Sequence, residues 1–214
     1  MSALTDALEP LPLLAILRGL PAHDVPAVAD RLLAAGIRVL EVPLNRAGAE
    51  DSLRALVRHV GSRAWVGAGT VLRTEQVPGV VAAGGRFAVM PHGDPRVIEA
   101  CRKAALPCIP GVATPSEAFA ALAAGADALK LFPAQSLPPA VVAAWRAVLP
   151  EDAWLILVGG ITTASIAPYR SAGARGFGLG SPIYQPGMAL DAVESAARNF
   201  VEAWAKSSAG SYTA

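Results

Sequence analysis

The 214-residue sequence is 53% hydrophobic with a net charge of +1. That suffices for one well-cored domain and leaves no basic run for a nucleic-acid footprint. Met1 to Pro10 carries Asp6 and Glu9 but no basic residue, unlike a secretory leader, and no apolar run escapes interruption by Gly, Pro or charge long enough to span a bilayer. Cys101 and Cys108 imply no disulfide framework. His23, His59 and His92 lie far apart without metal-ligand spacing. A soluble cytoplasmic protein is expected.

In chain order, eight apolar runs alternate with eight helical patterns. The runs are 13–17, 38–42, 65–68, 87–90, 107–109, 126–133, 154–158 and 176–179. The helical patterns fall near 24–35, 49–60, 74–83, 95–105, 115–124, 138–148, 163–172 and 190–205. Thr114-Pro115-Ser116-Glu117 reads as an N-cap followed by proline at the first helical position. Ala-Gly pairs close four helices at Gly36, Gly84, Gly125 and Gly173, each just before a strand, where a left-handed C′ residue is wanted. Strict alternation of strand and helix implies a parallel sheet, and eight units imply a closed (β/α)₈ TIM barrel, α/β in class, over residues 1–206. An open doubly wound sheet is disfavoured because no Gly-x-Gly-x-x-Gly loop follows the first strand. Residues 207–214 read as a frayed tail.

Active sites of such barrels lie at the C-terminal ends of the strands. Two ionisable residues, Glu41 and Lys130, interrupt otherwise apolar strands there. Strand alternation puts Glu41 with Val39 and Pro43, and Lys130 with Ala128 and Phe132. The opposite Leu/Val faces suit the helical ring, so Glu41 and Lys130 should point into the barrel. Burial would push the lysine below its ordinary pKa of about 10.4 and make it a nucleophile for carbonyl carbon. A buried ion pair is the plainer reading, but convergence at the catalytic end favours chemistry. Val158-Gly159-Gly160 and Gly178-Leu179-Gly180-Ser181 end the last two strands, where barrels often bind phosphate. Arg18 and Thr70 could hold a carboxylate. His92 and Asp94 should border the mouth without a catalytic role, and Cys108 reads as a small core residue.

These residues bring a family into view. Ile16-Leu17-Arg18-Gly19, Leu40-Glu41-Val42-Pro43-Leu44-Asn45, Gly67-Ala68-Gly69-Thr70-Val71-Leu72, Pro110-Gly111-Val112-Ala113-Thr114, Leu129-Lys130-Leu131-Phe132-Pro133, Val158-Gly159-Gly160-Ile161 and Gly178-Leu179-Gly180-Ser181 together resemble the class I 2-keto-3-deoxy-6-phosphogluconate and 6-phosphogalactonate aldolases over nearly the full chain. The resemblance implies a barrel, a homotrimer and a reaction without metal or cofactor. It implies Lys130 as the Schiff-base residue and Glu41 as the general acid/base. It further implies Thr70 at the carboxylate and Phe132 as the wall of the pyruvyl group. Gly159, Gly160, Gly180 and Ser181 would hold the phosphate. The substrate would be a phosphorylated 2-keto-3-deoxy sugar acid, and pyruvate one product. Gluconate-type relatives carry an arginine four residues after the glutamate and a threonine before the Gly-Gly pair. Here Asn45 and Val158 stand at those positions, and Arg18 fits the same galactonate-type pattern. Met90-Pro91-His92 departs from the usual turn after strand four, which leaves Pro91 as a substrate contact by position alone.

Other phosphate-binding barrels remain as competing readings: an isomerase, an epimerase, a thiamine-phosphate synthase, or a non-catalytic phosphosugar-binding barrel. Isomerases want a glutamate with a neutral histidine at the strand ends, or a metal cluster. No strand of this chain supplies either.

Overall fold

The structure, a computed structural model, describes residues 2–207. Its first element is a helix that the apolar periodicity did not announce. Helix α1 (Ala3–Leu8) is six residues long, too short to display a repeat. Ser2 starts it: its hydroxyl accepts from the Thr5 N–H, while the Thr5 hydroxyl accepts from the Ser2 N–H at 2.9 Å.

Strand and helix then alternate as expected. β1 (Leu13–Ile16) leads to α2 (Val25–Ala34), β2 (Val39–Pro43) to α3 (Ala49–Val60), and β3 (Trp65–Gly69) to α4 (Val77–Ala82). β4 (Ala88–Val89) leads to α5 (Pro95–Lys103). The fifth run is two strands, β5 (Cys108–Ile109) and β6 (Gly111–Val112), followed by α6 (Pro115–Ala123). β7 (Leu129–Leu131) leads to α7 (Pro139–Arg146), β8 (Leu155–Val158) to α8 (Thr163–Ser171), and β9 (Gly176–Leu179) to α9 (Leu190–Lys206). The four expected helix-closing glycines all have positive φ, from 81° at Gly84 to 102° at Gly36.

All strand pairs are parallel. The order runs β5-β4-β3-β2-β1-β9-β8-β7-β6, and the gap in the ring falls inside the fifth run. Pro110 has no N–H to offer a ladder, so the strand breaks there. Cys108 and Ile109 pair with β4, whereas Gly111 and Val112 pair with β7. The Pro110 carbonyl accepts from the Lys130 N–H at 2.8 Å, which closes the barrel across the break. The expected eight-unit barrel is therefore present, with one strand in two pieces.

Strand alternation sorts the side chains into two layers. Leu13, Ala15, Leu40, Val42, Leu129, Leu131, Leu155 and Leu157 face the helical ring. Leu14, Ile16, Val39, Phe87, Val89, Ile109, Ala128, Trp154, Ile156 and Val158 fill the interior. Leu4 and Leu8 of α1 join that inner layer and are fully buried, so α1 stops one end of the barrel. Cys101 and Cys108 are both buried core residues. Of the expected tail, 208–214 lies outside the described residues. Ser207 is held rather than frayed: Arg170 donates to its carbonyl and, at 2.9 Å, to its hydroxyl. Among the described residues no helix is long and apolar enough to cross a membrane.

Candidate active site

Glu41 lies in β2 two residues after inward-facing Val39, and Lys130 lies in β7 two residues after inward-facing Ala128. Both side chains are therefore inside the barrel, and only 2% of Glu41 and 7% of Lys130 is exposed. No ion pair joins them among the described residues, and Glu41 Oε2 is buried without a hydrogen-bond partner. Desolvation consequently dominates both. It drives the Glu41 carboxyl up to about 7, against the opposing pull of Lys130 and Arg18. It drives the Lys130 ammonium down, partly offset by Glu41 and reinforced by Arg18. Each group is thus moved toward the form that exchanges protons or attacks carbon near neutral pH. Lys130 Nζ stands 4.6 Å from the centroid of the Phe132 ring.

Phe132 also walls a cavity of about 290 Å³ at the C-terminal ends of the strands. Arg18, Val158, Gly159, Gly160, Gly180 and Ser181 line it as well. Gly159 and Gly160 have φ of 104° and 65°, a pair of conformations that side chains resist. This turn carries the chain from β8 to the N-cap of α8, Thr162, whose hydroxyl accepts from Ser165 N–H at 3.2 Å. The cavity therefore combines an apolar wall with glycine turns and a cation, suited to an anionic ligand.

Arg18 does not stand alone. It donates to the Asn45 side-chain oxygen at 2.8 Å, a contact across 27 positions that links the loops after β1 and β2. Lys130 and Glu41 lie below this cavity rather than on its wall, with Phe132 between Lys130 and the cavity, and Asn45, Thr70 and Pro91 are not on the wall either. Thr70 is half-buried and directly follows β3 with φ of 55°. A β-branched residue in that region is strained by about 1–3 kcal/mol, as is common where a site demands it. Pro91 packs its backbone against Gly111, where an added Cβ would lie 2.4 Å from the Pro91 carbonyl carbon. The His92 ring is tied at both nitrogens. Nδ1 accepts from the Asp94 N–H at 3.1 Å, and Nε2 is 3.3 Å from the Leu72 carbonyl. His92 thus pins the loop after β4.

The sequence did not point to Tyr184, Gln185 and Pro186, which also line the cavity. They follow β9 in a turn without apolar period, where Gln185 donates to the Ser181 carbonyl at 3.1 Å. Gln135 was also missed: its side chain lies over the Gly159-Gly160 turn, where a Cβ on Gly160 would be 2.5 Å from its Cδ. Only proximity to Lys130 and Phe132 in the chain could have drawn attention to it.

A parallel barrel with a desolvated lysine and glutamate inside it, beside a glycine-rimmed anion cavity, has the equipment of an imine-forming lyase. A profile of the KDPG and KHG aldolase family matches residues 4–196. A probable 2-dehydro-3-deoxy-6-phosphogalactonate aldolase of Rhizobium meliloti (strain 1021) is 42% identical over 87% of this chain and 88% of its own. The 2-dehydro-3-deoxy-6-phosphogalactonate aldolase of Escherichia coli (strain K12) is 40% identical over 91% and 95%. A solved structure described as native KDPGal superposes with a TM-score of 0.89 at 39% identity, covering 91% of this chain and 95% of that one. The chain belongs to the KDPG and KHG aldolase family.

Proposed function

We propose that the chain is a class I aldolase cleaving 2-dehydro-3-deoxy-6-phosphogalactonate to pyruvate and D-glyceraldehyde 3-phosphate. The observation that carries this reading is the pair of desolvated ionisable side chains, Lys130 and Glu41, inside the barrel beside the glycine-rimmed cavity. Neutral Lys130 attacks the 2-keto carbon, and loss of water gives a protonated imine. The bond between carbons 3 and 4 then breaks, its electron pair moving into the imine. Glu41, through a water, takes the proton of the carbon-4 hydroxyl as the aldehyde forms. The same proton returns to carbon 3 of the enamine, and hydrolysis releases pyruvate and restores Lys130. The imine is the electron sink, so the reaction asks for no metal or cofactor. Phe132 walls the pyruvyl group, Thr70 and nearby backbone meet the carboxylate, and Gly159, Gly160, Gly180 and Ser181 receive the phosphate. Such an enzyme works on a small metabolite in the cytoplasm. The testing experiment is incubation with pyruvate and borohydride. One pyruvyl mass on the peptide containing Lys130 supports the reading, and a label elsewhere, or none, refutes it.

Galactonate preference rests on Val158, buried to 7% exposure on the cavity wall, and on Asn45 in its contact with Arg18. The two epimers differ at carbon 4. A hydroxyl turned toward Val158 would be desolvated without a partner, which costs roughly 1–3 kcal/mol, or about ten- to a hundredfold in specificity. The epimer whose hydroxyl turns toward the Glu41 side avoids that cost. A higher kcat/KM is expected for the galactonate epimer, with residual gluconate activity. Val158→Thr should move the ratio toward gluconate by the same order. A wild-type preference for gluconate, or an unchanged ratio in the variant, would place specificity elsewhere.

The family resemblance supports a homotrimer. Exposed Phe119 on α6 and Val148 after α7, at 46% and 59% exposure, are apolar surface that association could cover. Light scattering is expected to give three times the chain mass at micromolar concentration; a monomer would refute it.

A further inference from the structure

Gly69, the last residue of β3, stands against Glu41 more closely than backbone packing requires. A Cβ placed on it would lie 1.3 Å from Glu41 Oε2, 2.2 Å from Cδ and 2.6 Å from Oε1. The backbone does not demand glycine there. Gly69 is outside the left-handed region, and its carbonyl accepts an ordinary ladder bond from the Leu44 N–H at 2.8 Å. The carboxylate is what demands it. Glu41 Oε2 is buried with no hydrogen-bond partner, so packing rather than a bond fixes its place. Leu44 N–H to Gly69 carbonyl ties β2 to β3 at this level, and Thr70 follows at once in its strained conformation.

We propose that Gly69 is a positioning residue for Glu41: its missing side chain is the seat that sets where the carboxylate stands relative to Lys130. The proposal rests on the reading of Glu41 as the group that moves protons. An alanine methyl at 69 would occupy the volume of Oε2 and push the carboxylate aside by about an ångström, a displacement that can cost on the order of 10²-fold in rate. Lys130 keeps its own place, and moving the carboxylate weakens only the pull by which Glu41 partly offsets the desolvation of its ammonium, so imine formation should survive.

The test is a double-mutant cycle of Gly69→Ala and Glu41→Ala, with turnover, pyruvate trapping by borohydride and thermal midpoint measured for each. Gly69→Ala should lose about 10²-fold in kcat while trapping pyruvate at Lys130 nearly as well as wild type. In the Glu41→Ala background the same methyl enters emptied space, so it should cause no further loss of kcat or of thermal midpoint. A Gly69→Ala enzyme with near wild-type kcat would overturn the proposal. So would an additive loss in the double variant, which would assign Gly69 an independent structural role. If Gly69→Ala fails to fold, the double variant must fold as well as Glu41→Ala, and a double variant that fails too overturns the proposal. If Glu41→Ala itself keeps turnover, the proton-carrying reading of Glu41 falls first. If Glu41→Ala is inactive and Gly69→Ala is not, this inference alone falls.

Discussion

Lys130→Met should abolish pyruvate trapping, lower cleavage by on the order of 10⁴-fold or more, and yet give a protein that is harder to melt. Methionine keeps the length and apolar stem of lysine but cannot attack a keto carbon. The gain in stability follows from the burial. Lys130 is 7% exposed, has no ion-pair partner among the described residues, and burial holds its ammonium below the usual lysine range. A lysine whose pKa is lowered on folding destabilises the fold at pH values below that lowered pKa. The penalty fades as pH rises toward about 10.4, where the unfolded chain loses the same proton. The thermal midpoint of Lys130→Met should therefore exceed that of wild type at pH 7, with a margin that shrinks in alkaline buffer. Residual cleavage with a trapped imine on another lysine would show that the nucleophile lies elsewhere. A midpoint below wild type at pH 7 would show that the Lys130 ammonium is paid for by contacts such as the Phe132 ring, 4.6 Å away.

The fold was largely legible because its strands bury both faces and its helices bury one. The two periodicities separate cleanly along the chain. Glu41 and Lys130 were legible for the same reason: a charge in an apolar strand breaks the pattern, and alternation tells which way it points. Elements without a period were not legible. Six-residue α1 falls below the length at which a repeat can be seen, although Leu4 and Leu8 plug the barrel. Pro110 was read as the end of a strand, whereas its carbonyl continues the ring and Gly111 and Val112 resume pairing. The loops were least legible of all. Asn45 and Pro91 are marked in the sequence by position alone, and nothing local announces their partners, Arg18 for Asn45 and Gly111 for the Pro91 backbone. The cavity wall also recruits Tyr184 and Gln185 from a turn whose course no local pattern dictates. The role of Gly69 was hidden for another reason. A glycine needed for the space it leaves, rather than for its φ, looks like any other until the group that fills the space is seen.

Glu41→Gln is expected to lose about 10²- to 10⁴-fold in kcat, the usual contribution of a general acid–base group, while still forming the pyruvate imine. The glutamine fits the seat over Gly69 but cannot carry a proton away from carbon 4. Because the carboxyl is pushed up to about 7, wild-type cleavage should decline as pH falls through 7 and the base is protonated. The glutamine variant should show no such limb. The same burial fixes a stability signature with a definite sign. A carboxyl whose pKa rises on folding leaves the protein most stable below about 4.5, where the acid is neutral in both states, and costs stability as pH climbs through 7. Glutamine is neutral throughout. The variant and wild type should thus be nearly equal in stability at pH 4, and the variant should be the more stable at pH 8 by up to about 3 kcal/mol. Denaturant titrations of both proteins at the two pH values read this directly. A variant no more stable than wild type at pH 8 would mean that the ionised carboxylate finds a partner in solution, and the acid limb near pH 7 should then be missing as well.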